Sequence, residues 1–344
     1  MQSTRNISAK LPPLKALSIL FFLASTCLAQ SPTLSSPTNI FAPASTPAKA
    51  IFGLSLFVLV ITGGIFVVVG SLLAYVVVKF RKRKDDDSRE PAQVYGSNQV
   101  EIAWTVIPIL IVVVLFMATA RVIANVQKAA PDNAVHVTVV GHQFWWEYRY
   151  PGLKVVTANE LHVPVGAATE IKLFSADTDH SFWVPRLAGK TDLIPNHPNV
   201  MWIDPQEVGL YLGQCAQYCG TQHAKMLLRV YVQSQAEFDH WIQQQSQPAQ
   251  SSNAASEGQR IFEATACVNC HAVAGTPALG RFGPDLTHLM SRDTIAAGIA
   301  ENNHESLRLW IQDPSRLKPG SLMPAMGLNE HDLNAVTAYL ETLR

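Results

Sequence analysis

Two short stretches of the chain hold residues whose types and spacing could do chemistry. The first runs Cys215-Ala-Gln-Tyr-Cys219-Gly-Thr-Gln-His223-Ala-Lys-Met226, with His180-Ser-Phe-Trp-Val-Pro185 well upstream. Two thiolates, two imidazoles and a thioether form a soft donor set, which selects copper over calcium or magnesium. A blue-copper site needs a single Cys with two His and a weak Met. The second Cys lets each sulfur bridge two copper ions, with one His per ion, and a pair that shares its charge reorganises little on gaining an electron. Such a centre suits electron transfer and not substrate chemistry. Three plainer readings compete. Cys215 and Cys219 could form a disulfide in an oxidising compartment, the Cys2His2 set could hold structural zinc, and His180 could be an ordinary strand-end histidine. Neither the disulfide nor the zinc gives Met226 a reason to stand where it does.

The second stretch is Cys267-Val-Asn-Cys270-His271. Cys-x-x-Cys-His is the attachment pattern of c-type haem, in which two thioethers fix the porphyrin and the His binds iron on the proximal side. A thioredoxin-like dithiol would need a βαβ pattern around it, and zinc would need further ligands nearby. Neither is present. A sixth ligand is expected downstream, and Lys318-Pro-Gly-Ser-Leu-Met323-Pro324 resembles the axial Met loop of cytochrome c domains. Met326 and Met290 are rivals, and the following Pro favours Met323.

These residues need elements to hold them. Val135, Val137 and Val139, then Thr169 to Phe174, then Met226 to Val232 alternate with period two. Turns such as Tyr150-Pro151-Gly152 and Val163-Pro164-Val165-Gly166 separate them. That texture predicts an all-β sandwich or barrel over about residues 131–235. A short helix from Gln235 to Trp241, capped by Ser234 and Glu237, leads into an uncharged Gln/Ser/Ala run over 243–256 that reads as a flexible linker. Residues 254–344 read as a small helical domain, closed by a terminal helix with Leu333, Val336 and Leu340 on one face.

The composition points elsewhere for the N-terminal third. Of 344 residues only 15% are charged and 48% are hydrophobic, and no acid precedes Asp85. Residues 1–29 have a signal peptide's anatomy: Arg5, Lys10 and Lys15, then an apolar run from Ala16 to Ala24, with cleavage near Ala29. Acylation of Cys27 is the alternative. Two uncharged stretches, Ile51 to Val78 and Ile102 to Ala120, predict spanning helices over 51–80 and 101–124, after an external segment at 30–50. Lys79, Arg81, Lys82, Arg83, Lys84 and Arg89 load the segment between them, so the 81–100 loop is expected in the cytoplasm and both termini outside. The spans contain no His, Cys, Asp or Lys, so they anchor the chain or dock other helices. Glu101, at the cytoplasmic edge, reads as a capping box with Asn98 or as a proton-entry carboxylate for a partner. A balanced charge of 26 basic and 26 acidic residues gives no field for nucleic acid.

The chain resembles subunit II of a haem–copper cytochrome c oxidase. The resemblance rests on Glu101-Ile-Ala-Trp-Thr-Val-Ile-Pro108, Gly141-His-Gln-Phe-Trp-Trp146, Lys190-Thr-Asp-Leu-Ile-Pro195 and the Cys215–Met226 loop. It implies a membrane-anchored multidomain chain: a two-helix transmembrane hairpin, then an all-β cupredoxin sandwich carrying the dinuclear copper centre CuA. It also implies side-chain ligands His180, Cys215, Cys219, His223 and Met226, and a backbone carbonyl ligand at Gln217. Glu is usual at that position, where its side chain helps bind magnesium at a subunit interface. Gln leaves the carbonyl and removes the carboxylate, which puts the magnesium in doubt. The position of Phe144 is often a Trp through which electrons enter, so Phe144, Trp145 and Trp146 are candidate entry aromatics, with core packing the plainer reading. The counterpart of Glu101 is associated with a proton channel. Residues 254–344 resemble a class I cytochrome c, and the all-α cytochrome domain fused to subunit II is the arrangement of bacterial caa-type oxidases.

The resemblance implies electron relay from covalent haem c to CuA and on to a haem of subunit I, where oxygen is reduced and protons are pumped. It implies subunits I and III as partners, an upstream donor such as a cytochrome or a quinol-oxidising complex, and the bacterial inner membrane as location, with both redox domains on its periplasmic side. A CuA subunit feeding a nitric oxide reductase, or a tethered electron carrier with no fixed oxidase, are the alternatives.

Overall fold

The structure, a computed structural model, describes residues 38–81, 93, 95–249 and 256–344. The expected signal peptide, cleavage near Ala29 and Cys27 lie outside the described residues, as do most of the 81–100 loop and the centre of the polar run at 250–255. Two long helices come first, α1 (Thr46–Lys79) and α2 (Asn98–Val126), each long and apolar enough to cross a bilayer. Both extend beyond their uncharged stretches. Ser45 caps α1 by accepting from the Ala48 amide, and Thr46 donates to Asp204, so the first turn is tied to the domain that follows. The expected Asn98–Glu101 capping box is not formed. Ser97 is the N-cap, Asn98 is already helical, and Glu101 folds back over Gly96, whose backbone (φ +126) leaves no Cβ in the carboxylate's way.

The β region is a two-sheet sandwich. Its strands in chain order are β1 (Val135–His142), β2 (Trp145–Tyr150), β3 (Val155–Ala158), β4 (Glu160–Pro164), β5 (Thr169–Ser175), β6 (His180–Trp183), β7 (Thr191–Leu193), β8 (Asn199–Ile203), β9 (Gly209–Cys215) and β10 (Leu227–Gln233). One sheet has the order β3-β2-β1-β5-β8 and the other β4-β10-β9-β6-β7. Alternation decides what fills the space between them. Leu228, Val230 and Val232 of β10 point inward, as do Ile171 and Leu173 of β5, around fully buried Trp146, Tyr148 and Phe182. Each such side chain removed from water contributes about 1.5–3 kcal/mol. Met226 lies just before β10 and not in it. Helix α3 (Gln235–Gln245) starts in the expected Ser234–Glu237 capping box but runs on past Trp241. Phe238 and Trp241 bury against Tyr150 and His162, and that packing carries the helix onward.

The C-terminal domain packs α4 (Ser256–Ala264) across α8 (Glu330–Leu340), with the single turn α5 (Cys267–Cys270), α6 (His304–Gln312) and α7 (Pro314–Leu317) around them. A small hairpin, β11 (Thr294–Ile295) and β12 (Ala300–Glu301), projects from it. Ile261 and Phe262 meet Leu333, Val336, Tyr339 and Leu340 in its core.

Candidate metal and haem sites

The first site is assembled by two neighbouring strands. β9 ends at Cys215, paired across from Phe182 of β6, and β6 begins at His180. The loop that follows is closed by the Cys215 amide donating to the Met226 carbonyl (3.0 Å), so both ends of the ligand-rich segment are pinned together. A short 3-10 turn (His223–Lys225) returns the chain inward. The result brings Cys215 Sγ to 3.9 Å from Cys219 Sγ and 3.9 Å from His180 Nδ1. Cys219 Sγ stands 3.8 Å from His223 Nδ1 and 3.9 Å from Met226 Sδ, and the Gln217 carbonyl oxygen lies 3.1 Å from Cys215 Sγ. The cysteines are free thiols, buried with His180 and Met226. Gln217 turns its side chain to solvent.

The donor set fits two bridged soft ions: each sulfur has its own imidazole nitrogen, and the thioether and the carbonyl flank opposite sulfurs. A hydrogen bond from Cys219 lowers the pKa of the Cys215 thiol, against the effect of its burial. Burial works against a charged His180, but Asp177 and Cys215 outweigh it and raise its pKa. The Asp177 carboxylate sits 2.8 Å from His180 Nε2, and takes the Gln143 amide as well. That leaves Nδ1 facing the sulfurs. Asp177 is a residue the sequence reading missed, although an acid near a candidate ligand His is a usable signal. Asp177→Ala is expected to cut copper affinity about 10–100-fold while the sandwich stays folded, measured by competition with a copper chelator.

The second site is a cavity in the C-terminal domain. Cys267, Cys270 and His271 line one wall, with Phe262, Leu286, Trp310 and Leu340 behind them. His271 Nδ1 is 2.8 Å from the Pro284 carbonyl, which orients the ring, and burial lowers the pKa of His271. A Cβ on Gly283 would come within 2.6 Å of the His271 ring, so the Gly283-Pro284 segment is a close-fitting cradle for it. Met323 and Met326 both line the cavity; Met290 packs with the apolar core instead. Two attachment thiols, one oriented imidazole and thioethers lining the same cavity fit a covalently held haem.

The cavity's remaining wall comes from the β sandwich: Gln143, Phe144, Trp145 and Asn159. Trp146 does not reach it. It is fully buried in the sandwich core, edge-on to His180 at 6.0 Å. Trp145 stacks on His142 (4.2 Å, 6°) and Phe144 packs against Gly220 of the ligand loop. Gln143 also donates from Nε2 to the Cys219 carbonyl at 2.6 Å. The sequence singled out Phe144 and Trp145 as candidate entry aromatics, but nothing in it marked Gln143 and Asn159 or the sharing of this wall between domains. Glu101 stands apart, in the first turn of α2.

Comparison with known proteins gives three family matches along the chain. Residues 35–122 match the transmembrane domain of cytochrome c oxidase subunit II, residues 152–233 its periplasmic domain, and residues 255–344 cytochrome c. A protein of Alkalihalophilus pseudofirmus named cytochrome c oxidase subunit 2 is 35% identical over 88% of this chain and 90% of its own length. One from Bacillus sp. with the same name is 36% identical over 77% of this chain and 80% of its own. Among solved structures, the periplasmic domain of subunit II of cytochrome oxidase from Bradyrhizobium japonicum is 28% identical over 34% of this chain and 96% of that one, with a TM-score of 0.33.

Proposed function

The chain belongs to the cytochrome c oxidase subunit II family, and from that premise we propose that its two sites form one electron-input relay inside a single subunit. The family places it in a haem–copper oxidase complex with subunit I, anchored in the membrane with its redox domains in the periplasm. The finer reading is that Cys215, Cys219, His180, His223, Met226 and the Gln217 carbonyl would together hold two copper ions. Cys267 and Cys270 would hold haem c, with His271 and Met323 offered to its iron. Bound there, these groups supply one-electron transfer from an external donor through haem c and CuA toward a haem of subunit I. Subunit III and a donor cytochrome or quinol-oxidising complex complete the assembly.

The residues divide the remaining work. Asp177 and the Pro284 carbonyl hold the His180 and His271 imidazoles in fixed orientation, so little would rearrange around a metal on a change of charge. The sandwich excludes water from His180, Cys215, Cys219 and Met226, and Trp146 packs beside them. The two apolar helices carry no titratable ligand and serve as anchor and docking surface; both termini lie outside, and oxygen reduction and proton translocation belong to the partner, with Glu101 at the cytoplasmic edge as a proton-entry group. One observation carries the reading: Gln143 lines the haem cavity and bonds the carbonyl of Cys219, so one side chain touches both sites.

Metal analysis of the full chain tests it, with about two coppers and one iron expected. Zinc in place of copper, or no copper after adequate loading, would sink the relay. Met323→Ala is expected to abolish the sulfur-to-iron absorption near the red end of the spectrum, whereas Met326→Ala keeps it. The opposite result would move the axial role to Met326.

A further inference from the structure

The seam between the two redox domains contains polar groups that neither domain satisfies by itself. Glu160, at the start of β4 and 1% exposed, accepts from the backbone amides of Asp293 (3.0 Å) and Thr294 (2.8 Å) and from the Thr294 hydroxyl (2.6 Å). Lys318, 4% exposed, comes from the haem domain's Met323 loop and donates from Nζ to the Phe144 carbonyl at 2.8 Å, with Ala296 O at 3.5 Å. Tyr231 donates to the Asp293 carboxylate at 2.6 Å. Near the linker, Gln245 donates to Ser291, and the His288 ring lies 3.0 Å from the Gln247 carbonyl. The start of the expected linker is therefore already packed on the haem domain.

The β11–β12 turn reaches across this seam. Ala296, Ala297 and Gly298 all have left-handed backbones (φ 54, 58 and 80). Two consecutive alanines in that region are strained, and such strain persists only where the surroundings over-determine it. Here the surroundings are the copper domain: Ala297 is buried with Trp145 and Ala158, and Gly298 abuts Leu227. Gly320 of the Met323 loop likewise lies against Thr221 and Gln222 of the ligand loop. A domain that swung freely would leave a carboxylate, an ammonium and a strained turn to be re-solvated at every excursion.

We propose that the haem domain is clamped on the copper domain by Lys318 and Glu160, which act as positioning residues fixing the separation of the two redox sites. The clamp rests on the relay reading above and adds that no diffusional search occurs between the domains. The polar run at 250–255 is then a connector that needs no particular length.

The test uses the full-length, metal-loaded chain, with metal content measured on every sample. Doubling the polar run should leave internal electron transfer after photoreduction of the haem unchanged; a swinging domain would slow about threefold, because effective concentration falls as roughly the −3/2 power of linker length. In Glu160→Ala/Lys318→Met the rate should become dependent on linker length and on solvent viscosity. Hydrogen exchange at the Asp293 and Thr294 amides should accelerate at least about tenfold in Glu160→Ala and be restored by Glu160→Gln. Length dependence in the wild-type chain, or unchanged exchange and kinetics in the loaded double variant, would overturn the clamp. Absence of copper or iron from the wild type would instead overturn the relay.

Discussion

Cys219→Ser should strip at least one copper ion from the site. Its sulfur is the hub of the donor set, within 3.9 Å of Cys215 Sγ, His223 Nδ1 and Met226 Sδ. A hydroxyl is a hard donor that holds soft ions poorly, so a copper pair bound there would lose one of its two thiolates. Copper per chain should fall from about two to one or fewer, and electron delivery to the oxidase by at least ~100-fold, while haem content holds. The fold should survive, because Cys219 lies in a loop closed independently by the Cys215–Met226 backbone bond. Metal analysis with circular dichroism reads both quantities. Full copper retention in the Ser variant would mean that Cys219 bridges nothing, and that the soft set centres on Cys215 alone.

Gly258→Ala should cost the haem domain most of its stability. A Cβ at this position would sit 2.0 Å from the Ala335 carbonyl oxygen and 2.8 Å from Tyr339 Cβ, so α4 and α8 could not cross where they do. The obstacle is backbone and not a flexible side-chain tip. Helices that support Ile261, Phe262, Leu333, Val336 and Leu340 must separate by more than 1 Å. Overpacking of this kind costs about 1–3 kcal/mol where side chains can yield. Against a rigid carbonyl it should exceed ~3 kcal/mol, a large part of a small domain's total. Thermal denaturation followed in the haem band should show the loss. A change below about 1 kcal/mol would show that the helix crossing tolerates an added methyl.

Individual residues show why some of this was legible from sequence. Cys267, Cys270 and His271 lie within about one turn of chain, so their spacing alone points to the chemistry proposed for them. The Cys215–Met226 loop is nearly as local, and only His180 had to be brought in, by the pairing of β6 with β9. The alternation at Val135–Val139 and the uncharged runs are likewise local periodicities, and they correspond to β1 and the two long helices. Legibility failed where one position decided between two local arrangements. Asn98 is in the helix and not its cap, because Ser97 takes that place. α3 extends past Trp241, because His162 and Tyr150 give that ring a partner.

The amino-acid sequence by itself determined which donors exist, which lie close along the chain, and that they sit behind a membrane anchor. Its reach ends there because ligand spacing and hydrophobic period are short-range properties. Tertiary structure alone decided that Asp177 orients His180, that Gln143 touches both sites, and that Phe144 and Trp145 face the haem cavity while Trp146 faces the sandwich core. Glu160 and Lys318 belong to the same class, since their partners lie more than a hundred residues away in the other domain. Such pairs follow from how two closed surfaces meet, and buried polar groups then take whatever partners that meeting supplies.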